Sequence, residues 1–560
     1  MHEAMQLWRG AEDEIDEGPP QSKADWYASM DEDAPLTGVH DGWGWRVQTL
    51  GMARGYSEET GSYGDVVPDP PIALVRTRFG ISFSINIDGF RAFKKGSYTK
   101  PNAYQYDQML QPLVNDLVEL ARGVHMRVHQ IQLGRAEREL VHGHLHSVIL
   151  DYMARIKNCG HRALASELDF CLYCKMRHSF ISIPEGFEVE DYELRDPHAY
   201  LQAKYDWLEH PDQRNRLYKA NGTRWTILDQ VSGFYGNTSC PVDAMHVFST
   251  GTTQWLVNQL IVASGMLGPL YAGQPEDEQP GARFNRGLSR VILPSFCSWI
   301  PPSLGKVTKS VKSEQWFHLV PLLPVLLYDA WRDGRAIPAI CVPRGDKRTR
   351  AYKHQQRTAK LVLDHRRRIY QHCGDPEDPP PTLGDCHTSR HLLPFYRNCL
   401  RYCTGHSLIH DNSVSISSAR LEIDLLSRCA STFARMNFHL SPNWHIGTHI
   451  EVFVHKYGCA RNSWCFSCER ANKVMINTHH NGHGLGTLET TMLRGYLKKM
   501  EIIRILRQLQ AIPNPTEDDQ ATIQAILESM RTGPERETYR GMLDEVLAGE
   551  VIGTWDHEIF

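Results

Sequence analysis

Residues 81–90 read ISFSINIDGF and residues 147–151 read SVILD. In the first stretch Ile81, Phe83, Ile85 and Ile87 alternate with Ser82, Ser84, Asn86 and Asp88, the period-2 signature of a half-buried strand. Gly89 then stops the strand. The second stretch predicts a short buried strand, again with an acid, Asp151, at its end. Between them, residues 106–122 place Leu110, Leu113, Val114, Leu117 and Leu120 at helical spacing, and a further helix is expected over 152–167. Strands alternating with helices imply an α/β class. Acids at strand ends converge on one sheet edge, where α/β enzymes build metal sites. A third acid, Glu469, stands second in CERANKVM. Asp88, Asp151 and Glu469 are therefore candidate catalytic ligands for Mg²⁺ or Mn²⁺. Hard cations prefer carboxylate oxygens, and two ions about 3.5–4 Å apart activate a water or a 3′-hydroxyl at a phosphodiester.

The 560 residues leave room for several domains, or for one fold carrying a large insertion. A net charge of −4 excludes a uniformly basic nucleic-acid binder. The charge is uneven, however: residues 1–35 hold ten acids against Arg9 and Lys23, which predicts a disordered acidic tail over 1–40. No signal-peptide core precedes the fold. The most apolar stretch, FHLVPLLPVLLYDAW at 317–331, is interrupted by Pro321 and Pro324 and reads as buried protein rather than a membrane span. The 14 cysteines are then thiols or metal ligands rather than disulfides, and some of the 28 histidines are expected to bind metal.

Two spacings fit a metal. Cys171 and Cys174 form a CxxC pair, and His445 and His449 form an HxxxH pair expected on one helix face. Together they supply the four ligands of a closed tetrahedral Zn²⁺ site. The plainer alternatives are a buried thiol pair and a helix with two surface histidines. Asp243 and His246 form a DxxH expected to act as an auxiliary or structural pair. The run 344–368 (RGDKRTRAYKHQQRTAKLVLDHRRR) is basic, and Arg348, Arg350, Lys353, Arg366, Arg367 and Arg368 are candidate contacts to DNA phosphates. A solvated helix face is the alternative.

At these residues the chain resembles the transposases of CACTA (En/Spm-type) DNA transposons, in the form common in mushroom-forming fungi. The blocks are NIDGF at 86–90, Asp151 followed by FCLYC, GTRWTILDQ at 222–230, PVDAMHVF at 241–248, LPSFCSWIPPSLGKVTKSVKSEQW at 293–316, and finally His445, His449, CERANKVM and LETTMLRGY. The resemblance covers about residues 35–505, and the order of the blocks carries it.

The resemblance implies a ribonuclease-H-like catalytic core interrupted by a large, mainly helical insertion, and one zinc shared by CxxC and HxxxH. It also implies metal-dependent cleavage and transfer of double-stranded DNA, both transposon terminal repeats and target, in the nucleus. A homo-oligomer is left open. The expected organisation is a first core part over 41–250, the insertion over 251–440, an HxxxH helix and closing catalytic helix over 441–510, and a helical tail over 511–560. The chain departs from the family after Asp88, where the stretch to Tyr104 is too short for the sheet strands expected there. A catalytically inactive, transposase-derived protein that binds zinc and DNA is the competing expectation.

Overall fold

The computed structural model describes residues 21–77, 79–87, 102–130, 135–294, 297, 299–302, 304, 311–375, 377–466, 468–469 and 487–532. The chain is mixed α/β, mostly helical with small sheets. It forms two compact units. One holds 16–87 and 101–464, and the other holds 1–15, 88–100 and 465–560.

The larger unit contains the expected strand as β5 (Gly80–Asn86). Strands β1 (Thr49–Leu50) and β4 (Ile72–Ala73), and β2 (Ala53–Ser57) and β3 (Ser62–Val66), make two small antiparallel pairs ahead of it. After β5 comes a helix over Ala103–Arg122, capped by Asn102 and Gln105, which bond to each other's backbone. Strands β6 (Val124–Gln130) and β7 (Arg135–Ile149) complete a sheet of order β5-β7-β6. β7 runs parallel to β5 and antiparallel to β6. The register of β5 on β7 shifts by one residue after Phe83, leaving His146 as the bulge, and ends with Asn86 opposite Ile149.

Three expectations are corrected here. The strand at 147–151 is only the end of the long strand β7. Its VHGHLHS stretch looks polar, yet His142 and His146 are buried. The helix after Asp151 stops at Asn158 rather than 167. Gly160 takes a positive φ of 64°, and a Cβ there would lie 2.1 Å from the Arg224 carbonyl oxygen, so the chain turns where only glycine fits. Residues 21–40 of the acidic stretch are ordered. Ser22 caps a helix over Lys23–Ser29, Trp26 and Leu36 enter the core, and Leu36 pairs with Val414. Two apolar anchors outweigh the acids, and Glu32 pairs with Arg420.

The helical part is continuous with the sheet region rather than a separate body. One hydrophobic core runs from Trp26 to Ala460, so the boundaries expected at 250 and 440 fall inside one unit. The 317–331 stretch forms short buried helices, with Leu319, Leu323, Leu327 and Trp331 fully enclosed. Among the described residues no helix is long and apolar enough to cross a membrane. In the smaller unit, helices Thr487–Gln510 and Glu517–Thr532 pack through Ile503, Leu506, Leu527 and Met530.

Several histidines are buried as neutral rings. Burial pushes His144, His365, His410 and His455 down to about 4. Their unfolded value is near 6.5, so the unfolded chain takes up protons first as the pH falls. Their contribution to stability is full above about pH 6.5 and is lost between there and about pH 4, at up to about 1.4 kcal/mol per pH unit for each ring. Thermal unfolding should therefore occur several degrees lower at pH 5 than at pH 7.5. A midpoint that does not move over that range would contradict the buried, neutral assignment.

Candidate metal centre

The segment after Asp151 builds one side of a buried centre. Residues 171–174 turn back through a short antiparallel contact in which Cys174 bridges Leu194, with Arg195 donating its backbone N–H to Tyr173 and Lys175 to Glu193. Arg195 also donates Nε to the Cys171 carbonyl at 3.1 Å while its other end pairs with Asp169. Both thiols thus sit on a braced turn.

The other side comes from a helical bend far along the chain. The two histidines do not share one helix, as their spacing suggested. His445 lies in helix Pro442–Gly447, and His449 caps the next helix, Ile450–Tyr457. The break still brings their Nε2 atoms to 3.3 Å. Cys171 Sγ lies 3.4 Å from His449 Nε2, and Cys174 Sγ 3.2 Å from His445 Nε2. All four ligand atoms fall within 4.8 Å of one another, and every one of the four residues is buried. The rings of Phe170, Tyr173 and Tyr192 surround them.

The donor set fits a tetrahedral ion. Two nitrogens each about 2.0–2.1 Å from one metal should be about 3.3 Å apart, the separation seen here. The Nδ1 atom of His445 faces the Gly186 carbonyl oxygen at 3.4 Å, which leaves Nε2 for the centre. Burial raises the Cys171 thiol, but the Cys174 hydrogen bond and the two imidazoles outweigh it and hold it well below the ordinary thiol range. Burial drives Cys174 well above that range and lowers His449. A buried thiolate is the charge that a cation completes.

The remaining candidates are distributed as follows. Asp151 is half-buried and caps the helix Tyr152–Asn158, with Oδ1 accepting from the Ala154 N–H at 2.5 Å. Asp88 lies outside the described residues. Glu469 is exposed and belongs to the smaller unit. Asp243 is buried and pairs with His246, and its oxygens also accept from the Met245 and His246 backbone N–H groups. Within the basic run, Arg366 donates to Asn437 and the Asp385 carbonyl, and Arg368 pairs with Glu167 and Asp364. These two arginines serve the fold. Arg348, Arg350, Lys353 and Arg367 are exposed, as are Arg357 and Lys360.

No spacing or motif singled out Arg155. It is fully buried and joins three blocks, donating to the Tyr173 hydroxyl beside the thiols, to the Leu150 carbonyl and to the Pro241 carbonyl. The only hint was its place four residues after Asp151, on the side of the helix that also carries Tyr152. Comparison with known proteins finds nothing similar: no family model, no characterised sequence and no solved structure matches the chain.

Purified protein should carry close to one tightly held metal ion per chain. Cys174→Ala should lose most of it and unfold at a lower temperature. Full metal content in that variant, measured by elemental analysis, would refute the assignment of the four ligands.

Proposed function

We propose that the chain is a DNA strand-transfer enzyme of the CACTA transposase class, with a ribonuclease-H-like core and a structural Zn²⁺ on Cys171, Cys174, His445 and His449. The observation that carries this reading is the meeting of those four residues. The resemblance pairs CxxC with HxxxH across 271 residues of chain, and the two pairs come together in one buried group. A chance CxxC and a chance HxxxH have no reason to meet.

The sheet supports the same reading. β5 and β7 are parallel neighbours whose ends are in register, and the Asn86 side chain donates to the Ile149 carbonyl at 2.9 Å. In the sequence, Asp88 follows Asn86 by two residues and Asp151 follows Ile149 by two. Asp88, Asp151 and Glu469 would hold two Mg²⁺ (or Mn²⁺), which would supply activation of the attacking hydroxyl and charge neutralisation at the leaving oxygen. Asp151's own part is to present a carboxylate fixed by its bond to the Ala154 N–H. The work would take place on chromosomal DNA in the nucleus.

DNA would lie along the helix Arg350–Cys373. Arg350, Lys353, Arg357 and Lys360 recur every three or four residues, so they form one exposed row, and none of them makes an ion pair among the described residues. Free cations in a row suit phosphates, which set affinity without reading sequence. One observation favours the inactive relative as a second reading: among the described residues β5 is paired on one side only.

The deciding experiment incubates the protein with duplex transposon ends and Mg²⁺ or Mn²⁺. Nicking or joining that Asp151→Ala abolishes supports the enzyme, and duplex binding without cleavage supports the inactive relative. In either case, replacing Arg350, Lys353, Arg357 and Lys360 with Ala should reduce the salt slope of binding by up to about 3.6, given roughly 0.9 per phosphate contact. An unchanged slope would remove this helix from the DNA interface.

A further inference from the structure

The hairpin of β6 and β7 carries an exposed face that the proposed reaction leaves unused. β5 pairs with β7 from His142 to Ile149, whereas β6 pairs with the earlier half of β7, from Arg135 to Val141. Among the described residues this earlier half and β6 therefore run past β5 as a two-stranded ribbon. Residues directly opposite each other share a face, so the register sorts the ribbon into two sides. On one side Val124, Met126 and Val128 oppose Val141, Glu139 and Glu137. Val128 and Val141 are buried and none of the six is exposed, so this side turns toward protein. On the other side His125 opposes Leu140 and Arg127 opposes Arg138, and all four are exposed.

The centre of the open side is thus a pair of like charges. Cβ atoms of directly opposed residues lie about 4.5–5.5 Å apart, and like charges at that position destabilise a sheet. The ribbon has acids to offer, but Glu137 and Glu139 point to the other side. A slip of one residue would set one of them against Arg127, yet it would also turn Val128 and Val141 out to solvent. Burial of the valines therefore fixes the two arginines face to face. Neither makes an ion pair among the described residues. An anion placed between them removes the repulsion, and the planar guanidinium fork matches the oxygens of a phosphate.

We propose that the exposed face of the β6–β7 ribbon is a second contact to duplex DNA, with Arg127 and Arg138 closing on backbone phosphates. The proposal rests on the reading of the chain as one that acts on DNA. Two strands about 4.8 Å apart fit the major groove of B-DNA, which is about 12 Å wide and admits a two-stranded ribbon. A duplex also supplies one phosphate charge per about 1.7 Å of its axis, which suits cations carried on both strands. From Arg138 to Ile149, β7 extends about 36 Å at roughly 3.3 Å per residue. That is about one turn of B-DNA, so the ribbon grips duplex beside the place of reaction rather than at it.

The test measures binding of a random-sequence duplex and of poly-glutamate to the full chain over a range of salt concentrations. Replacing Arg127 and Arg138 together with Thr, a strong strand former, should lower the salt slope of duplex binding by up to about 1.8, at roughly 0.9 per phosphate contact. The thermal midpoint should stay level or rise, because the like-charge pair is gone. An unchanged slope overturns the proposal. Weaker binding that comes with a lower midpoint overturns it as well, since the arginines would then serve the fold. Loss of poly-glutamate binding with duplex binding retained overturns it in favour of an acidic protein partner. Failure of the underlying reading looks different: the unaltered chain would show no salt-dependent binding to duplex at all.

Discussion

Two thiols and two imidazoles buried within 4.8 Å of one another form the constraint on which the larger unit depends. Each alone is a polar group in an aromatic interior, and their hydrogen bonds run mainly among themselves. Buried donors and acceptors that meet only each other gain little over water. Closing the intervening loop of 271 residues costs about 5 kcal/mol by the (3/2)RT ln n scaling. A structural zinc contributes about 10–16 kcal/mol, which exceeds that closure cost. With the proposed ion in place, the site fastens the segment after the β5–β7 sheet to the helices Pro442–Gly447 and Ile450–Tyr457.

That fastening reaches the sheet through side chains rather than backbone ladders. The Tyr152 hydroxyl donates to the Phe170 carbonyl, and Arg155 donates to the Tyr173 hydroxyl, both within the CxxC block. Tyr173 in turn donates to the Cys240 carbonyl, and Arg155 to that of Pro241, just ahead of Asp243. A second buried brace lies alongside. Lys204 and Asp229, both wholly enclosed, meet at 2.7 Å, and Asp229 also accepts from Thr226. Losing one partner of such a pair strands a charge in the interior, which costs about 3–5 kcal/mol. The block GTRWTILDQ is therefore held by its aspartate, and Thr226 ties it to the Asn158 carbonyl at the end of the helix after Asp151.

How far the sequence could be read follows from the same physics. The alternation of Ile81, Phe83 and Ile85 revealed β5, and the apolar stripe over 106–122 revealed a helix close to Ala103–Arg122. Cys171, Cys174, His445 and His449 were legible because metal geometry restricts ligand spacing. The length of β7 was not legible, because its buried histidines count as polar in any hydropathy pattern. Nor were Arg155 and Lys204, whose burial depends on partners 18 and 25 residues away. In the basic run, composition alone could not separate Arg366 and Arg368, which brace the fold, from the free row at Arg350, Lys353, Arg357 and Lys360. That distinction belongs to tertiary structure.

The short stretch after Asp88 weighs less against a metal site than its length suggests. What such a site requires of the sheet is two parallel neighbours ending at the same edge, because adjacent strands run about 4.8 Å apart and paired ions sit about 3.5–4 Å apart. β5 and β7 meet that requirement with their own register, Asn86 against Ile149. Further strands beside β5 would stiffen it without moving its end relative to β7. Stiffness has other sources here: the Ser84 and Ser147 hydroxyls meet at 2.8 Å, and Asn86 bonds across to the Ile149 carbonyl. The helix Ala103–Arg122 also packs on β7. The three strands seen among the described residues are thus compatible with precise placement at the sheet edge, provided that β7, the strand carrying the bulge at His146, is itself held. The Tyr457 hydroxyl holds it there, donating to the His146 carbonyl from the helix that begins at the bend between His445 and His449.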